Sequence, residues 1–174
     1  MRRVLMVTLL LALSACTTED PSPAASGGSG AVRTAGCGSS AAGDPVDVTG
    51  QISARGEADF AAVYAGARVG DEGVEVYRKP SADLDAWITS TFAASCVIVR
   101  DARFSAVELA KRYQQIGDDD QYWTEQGVPV NSVSSDFVRG VVVVGTSEVD
   151  KAKPLFAARY ADGPPVELVN EAPA

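Results

Sequence analysis

Val130-Asn-Ser-Val-Ser134, Gly140-Val-Val-Val-Val-Gly145, Leu155-Phe156 with Tyr160, and Pro165-Val-Glu-Leu-Val169 follow one another near the end of the chain. The first two are strand-like runs about a turn near Asp136 and Gly140. The third is the apolar stripe of a helix opened by a Ser147 cap, and the fourth is another strand. Pro154 fits that helix if it starts near Asp150, with the proline in its first turn, or if it bends there. The same order occurs earlier: Phe60-Ala-Ala-Val-Tyr-Ala-Gly-Ala-Arg-Val69, the turn Gly70-Asp-Glu-Gly73, Val74-Glu-Val-Tyr-Arg78, a helix, and Cys96-Val-Ile-Val99. Strand, turn, strand, helix, strand is therefore written twice. The expected fold is α+β: two tandem ββαβ units, about 60–99 and 130–169, joined by a longer helix, forming an antiparallel-rich sheet with helices on one face.

Local signals support these elements. Pro80 ends the first hairpin, and Ser81 caps a helix whose Leu84, Trp87, Ile88 and Phe92 share one face, with Asp83 and Asp85 near its positive end. Ser105 and Glu108 form a capping box, and Phe104 staples onto Leu109 at the start of the connecting helix. Its stripe continues as Leu109, Tyr113, Ile116 and Trp123. Gly117 and Asp118-Asp119-Asp120 interrupt it before Gly127 stops it, so the pattern suits one helix or two. Upstream, the domain opens near Pro45, where Val46, Val48 and Ile52 alternate with polar residues and predict an edge strand.

The residues before the domain give an address. Arg2 and Arg3 precede an apolar run, Val4 to Leu13, and small residues follow: the order of a secretory signal over 1–15. A spanning helix needs roughly 20 apolar residues, so this run is too short to cross a bilayer. Leu13-Ser14-Ala15-Cys16 resembles the lipobox of bacterial lipoproteins. The resemblance implies that the Cys16 thiol receives a diacylglyceryl group and becomes the mature N-terminus, so that the chain is held at the outer face of the cell membrane. Each buried methylene contributes about 0.8 kcal/mol, and two acyl chains hold stably where one does not. From Thr17 to about Ala42 the chain is Ser, Gly, Ala, Thr and Pro. Residues 16–44 therefore read as a lipidated cysteine and flexible tether, placing the 45–174 domain roughly 25 to 30 Å from the membrane.

Composition narrows the function. Losing Arg2 and Arg3 with the leader takes the formal charge from −8 to −10. A surface so acidic repels phosphate backbones and anionic headgroups, which excludes nucleic-acid binding and leaves the lipid on Cys16 as the membrane contact. With Cys16 lipidated, Cys37 and Cys96 remain as an even pair in an oxidising compartment and are expected to be bonded. Chain entropy gives such a bond about 4 kcal/mol at most. Sparse lysine beside abundant alanine, valine and arginine suggests a high-GC genome.

The chain contains no histidine. Ser-His-Asp and Cys-His nucleophile pairs and histidine-based zinc sites are thereby removed. No metal or cofactor motif is present: the Asp-x-Asp-x-Asp-Gly pattern of a calcium loop is missing, and no glycine-rich phosphate loop follows a strand. Asp118, Asp119, Asp120 and Glu125 are the candidates for the paired carboxylates of a cell-wall glycosidase; a solvated acidic helix turn explains the same residues. Trp87, Tyr113, Tyr122 and Trp123 supply aromatic surface, of which Tyr122 and Trp123 are the candidates for partner contact.

The stretch from Gly127-Val-Pro-Val130 through Val141-Val-Val-Val-Gly145 to Pro165–Val169 resembles prodomain segments of secreted bacterial α-lytic and streptogrisin-type proteases, over roughly Phe60 to Val169. That resemblance implies a protease as partner, since those prodomains assist folding and inhibit, with the tail Asn170 to Ala174 reaching a partner's cleft. This chain lacks the protease itself. The expected function is a non-enzymatic, lipid-anchored module that binds a secreted or envelope protein; the rivals are a carboxylate enzyme and a structural spacer.

Overall fold

The computed structural model describes residues 31–38 and 42–173. Cys16, the leader expected over 1–15 and most of the expected tether lie outside the described residues. Among the described residues no helix is long and apolar enough to cross a membrane. The fold is α+β, built on two mixed sheets rather than one.

The domain opens with a helix, α1 (Pro45–Asp59), where the sequence suggested an edge strand. Asp44 caps it by accepting from Val46 N at 2.8 Å, and Pro45 occupies the first turn, where its missing N–H costs nothing. Two-residue alternation of Val46, Val48 and Ile52 was the misleading signal. The four-residue series Val48, Ile52 and Gly56 is the one that is buried, while Val46 is 68% exposed.

Next come β2 (Tyr64–Val69), β3 (Val74–Arg78), α2 (Ala82–Thr91) and β4 (Val97–Asp101). β2 and β3 form an antiparallel hairpin, and α2 carries the chain across so that β4 joins β3 in parallel, pairing Val74 with Val97 and Val76 with Val99. Those valines bury against Val48, Ile52, Leu84, Ile88 and Phe92 from the helices. Ser81 caps α2 as expected, accepting from Leu84 N.

The second unit repeats the plan. α3 (Ala106–Asp118) and α4 (Asp120–Glu125) precede β5 (Ser132–Asp136), β6 (Val141–Thr146), α5 (Val149–Arg159) and β7 (Val166–Asn170). β5 and β6 are antiparallel and β6 and β7 parallel, with Val142 opposite Val166 and Val144 opposite Leu168. Since α1 stands before the first hairpin as α3 stands before the second, the repeated unit is αββαβ, one helix longer than the sequence pattern indicated. The capping box of Ser105 and Glu108 is formed. The connecting helix is two helices, breaking at Asp119 rather than Gly117. α5 is capped without Ser147: its N-cap is Glu148, whose N–H donates to Thr146 Oγ1 at 3.2 Å. Pro154 lies inside α5, beyond its first turn.

Part of the stretch read as tether belongs to the fold. β1 (Val32–Arg33) adds an antiparallel edge to β4, pairing Val32 with Val99. Thr34 Oγ1 accepts from Val97 N at 2.8 Å and donates to the Ser95 carbonyl at 2.6 Å. The disulfide Cys37–Cys96 then locks this segment beside the first sheet. At the tail, Glu171 N–H donates to the Thr146 carbonyl at 3.1 Å and Asn131 donates to the Glu171 carbonyl at 2.7 Å. The expected partner-seeking tail is thus tied down through Glu171.

The units touch at Phe137, whose ring meets Tyr77 edge-on with centroids 5.5 Å apart. Gly66 lies under it: a Cβ there would come within 2.6 Å of the ring, so only glycine allows the approach. Lys79 and Glu108 form an ion pair between the units at 3.1 Å.

Candidate functional site

Asp118, Asp119, Asp120, Tyr122, Trp123 and Glu125 lie at the joint between α3 and α4 and along α4. Asp119 is held by Arg159, whose Nε donates to it at 2.6 Å, and by the Tyr160 hydroxyl at 2.7 Å. The Arg159 hydrogen bonds hold the Asp119 carboxyl below the usual carboxylate range against the opposing effect of burial. Tyr160 is pushed up to about 12, first by burial and then by its bond to Asp119. An aspartate pinned as an ion in this way is a structural latch.

Trp123 is fully buried, stacked on Phe156 with ring centroids 3.9 Å apart, and its indole N–H donates to the Tyr160 hydroxyl at 3.2 Å. It is core, and so is closed to a partner. A tryptophan on a helical stripe carries the same pattern whether the stripe packs inward or against another protein, which is why the sequence admitted both. Tyr122 is half-buried and lies beneath Arg159, whose guanidinium carbon is 4.1 Å from the ring centroid. Asp118, Asp120 and Glu125 are exposed, and among the described residues no group of acids is placed to hold a metal ion.

Sequence reasoning missed Arg112. It occupies the inward face of α3 between Leu109 and Ile116, at three and four residues' spacing, whereas Tyr113, expected in that stripe, is 45% exposed. Arg112 is only 7% exposed, and its guanidinium carbon lies 4.8 Å from the centroid of the Tyr160 ring. One terminal nitrogen donates to the Asp162 carbonyl, while Nε is buried without a hydrogen-bond partner. The available signal was a charge at a core-facing position of a clearly amphipathic helix, between Leu109 and Ile116.

The other charged side chains buried as deeply among the described residues are matched. Arg78, 5% exposed, pairs with Asp85 at 2.7 Å and with Asp101. Glu75 receives Arg68, Arg100 and the Tyr77 hydroxyl. Burial opposes its ionisation, yet those three donors outweigh it and hold the carboxyl below its usual range. Arg112 has no carboxylate partner among the described residues.

Beside Arg112 the surface opens into a groove between α3 and the end of α5. One cavity of about 500 Å³ is bordered by Lys111, Arg112, Gln115, Arg159, Tyr160 and the turn through Pro164. A second of about 460 Å³ shares Arg112, Gln115, Arg159 and Tyr160 with it and adds Asp118 and Asp119. Both are within the range of small-ligand sites. Comparison with protein-family models gives no match to the chain, and no curated protein matches it.

Proposed function

We propose that this chain is a lipid-anchored, extracytoplasmic domain that acts by binding a secreted or envelope protein, and that the groove at Arg112 is its binding element. One observation carries the reading: a buried guanidinium without a counter-charge borders two open cavities, in a protein that matches its other buried charges. Ions this well excluded from water are retained when paired, and an unpaired donor costs about 1–3 kcal/mol. Such a group is suited to a ligand that completes it. The disulfide between Cys37 and Cys96 supports an oxidising compartment, in keeping with a leader and a lipidated Cys16. Asp119, kept ionised by Arg159 and Tyr160, is poorly suited to donate a proton, so the paired-carboxylate reading loses that residue as its general acid.

Site-specific photo-crosslinking in the cells that make the protein tests the proposal. A crosslinker at Gln115, exposed on the groove rim, is expected to trap a discrete envelope or secreted protein, and one at Arg55, on the other unit, is expected to trap none. Identical adducts from both positions, or none from Gln115, overturn it. Exchange of Cys16 for serine in the same cells is expected to release the protein from the membrane fraction.

A further inference from the structure

We infer that the groove binds the free α-carboxylate end of a peptide chain, with Arg112 supplying the counter-charge; this rests on reading the groove as the binding element. The planar guanidinium fork matches a carboxylate better than any other side chain does. In the free protein Arg112 spends one donor on the Asp162 carbonyl and packs on Tyr160, and neither partner neutralises it. A carboxylate entering the groove provides that charge and, with a small turn of the guanidinium, an acceptor for Nε.

Local charge selects a carboxylate over a phosphate. The larger cavity is lined by Lys111, Arg112 and Arg159 against Glu108 and Asp162, and the adjoining one adds Asp118 and Asp119. Arg159 is already neutralised by Asp119, and Glu108 accepts from Lys79 and Ser105. Within the larger cavity Lys111 and Arg112 then stand against Asp162 alone, a surplus of one positive charge that fits one negative charge, whereas a dianion also meets Asp118 in the adjoining cavity. Size and wall select a chain end over a small free acid: about 500 Å³ is far more than acetate fills. Ala158, Ala161 and Pro164 give the cavity an apolar side, and Gln115 offers an amide to a peptide bond.

Calorimetric titration of the full-length protein in detergent decides this, using N-acetyl-trialanine as the free acid, its C-terminal amide and inorganic phosphate as probes. The acid is expected to bind at least tenfold more tightly than the amide or phosphate. R112K is expected to weaken it about tenfold by removing the fork, and R112M to abolish it. K111A, an exposed change that leaves the core untouched, is expected to weaken it two- to threefold. Equal binding of acid and amide, tighter binding of phosphate, or no binding of the acid by protein with a native circular-dichroism spectrum overturns the inference. Should R112M fail to fold, the comparison of acid with amide and K111A still decide. If the acid fails while the Gln115 crosslink still captures its protein, the carboxylate assignment falls and the groove remains a binding element; loss of that crosslink removes the groove itself.

Discussion

Replacing Trp123 by phenylalanine is expected to destabilise the domain by about 2 kcal/mol. The indole is fully buried, stacks on Phe156 and donates to the Tyr160 hydroxyl at 3.2 Å. Phenylalanine keeps a ring against Phe156 but loses that hydrogen bond, worth about 1 kcal/mol, and leaves part of the indole volume empty, about another 1 kcal/mol. Alanine would forfeit the stacking as well and cost about 5 kcal/mol, close to the whole stability of many domains, so phenylalanine is the measurable change. In a urea titration followed by circular dichroism, with a slope of about 2 kcal/mol per molar, the midpoint should drop by about 1 M with the slope unchanged. The far-ultraviolet spectrum should keep its native form. A midpoint within about 0.2 M of the parent refutes the assignment of Trp123 to the core and returns it to the surface, where the sequence alone had allowed it to face a partner.

Removing the disulfide by exchanging Cys37 and Cys96 for serine is expected to cost about 2 to 4 kcal/mol in the same titration and to expose the 31–38 segment to limited proteolysis before the rest of the domain. Glu75, Glu108, Asp119 and Asp136 all have folded-state pKa values below their ordinary ones, so each contributes stability above about pH 4.5 that is lost as the pH falls through its folded value; thermal denaturation should show a steep acid limb below about pH 4. Tyr160 is shifted the other way, to about 12, and its contribution should disappear as the pH rises from 10 towards 12, with D119N blunting that alkaline limb. R112M should be as stable as the parent or more so, because a buried ion without a counter-charge is replaced by an apolar side chain of similar length; a loss above about 2 kcal/mol would show that Arg112 is held for the fold.

The elements legible in the sequence were those written in local chemistry. The turn of Gly70 to Gly73 between two strand-like runs, the Ser81 cap, the box of Ser105 and Glu108, and the Cys37–Cys96 pairing each follow from residues that act on their immediate neighbours or from cysteine arithmetic. Elements fixed by longer-range contacts were not. β1 is two residues in a Gly/Ser-rich stretch, and its place depends on β4, Thr34 and a cystine to residue 96. α1 was obscured because Val46, the residue completing an apparent alternation, is a solvent-facing member of a helix. Trp123 was recognised as important, but burial against Phe156 and Tyr160 depends on how α5 returns across α4.

Arg112 differs in kind from these, since its meaning emerges from comparing the two units. The first unit buries Arg78 in its hairpin and meets it with Asp85 from α2 and Asp101 from β4, so desolvation is offset inside the unit. The second buries Arg112 in α3 and meets it with a carbonyl and an aromatic face alone. Cation–π contact offsets about 0.5–2 kcal/mol, short of the several kcal/mol that removing a charge from water costs. Acids are not scarce nearby: Glu108 is one helical turn away and Asp119 borders the same cavity, yet the first is bound to Lys79 and the second to Arg159. Glu108 and Asp119 are thus engaged by other cations, while the buried Arg112 borders the two cavities without a carboxylate of its own among the described residues. A fold selected only for stability would exchange Arg112 for methionine or pair it; keeping it in this state is what a site completed by an incoming anion requires.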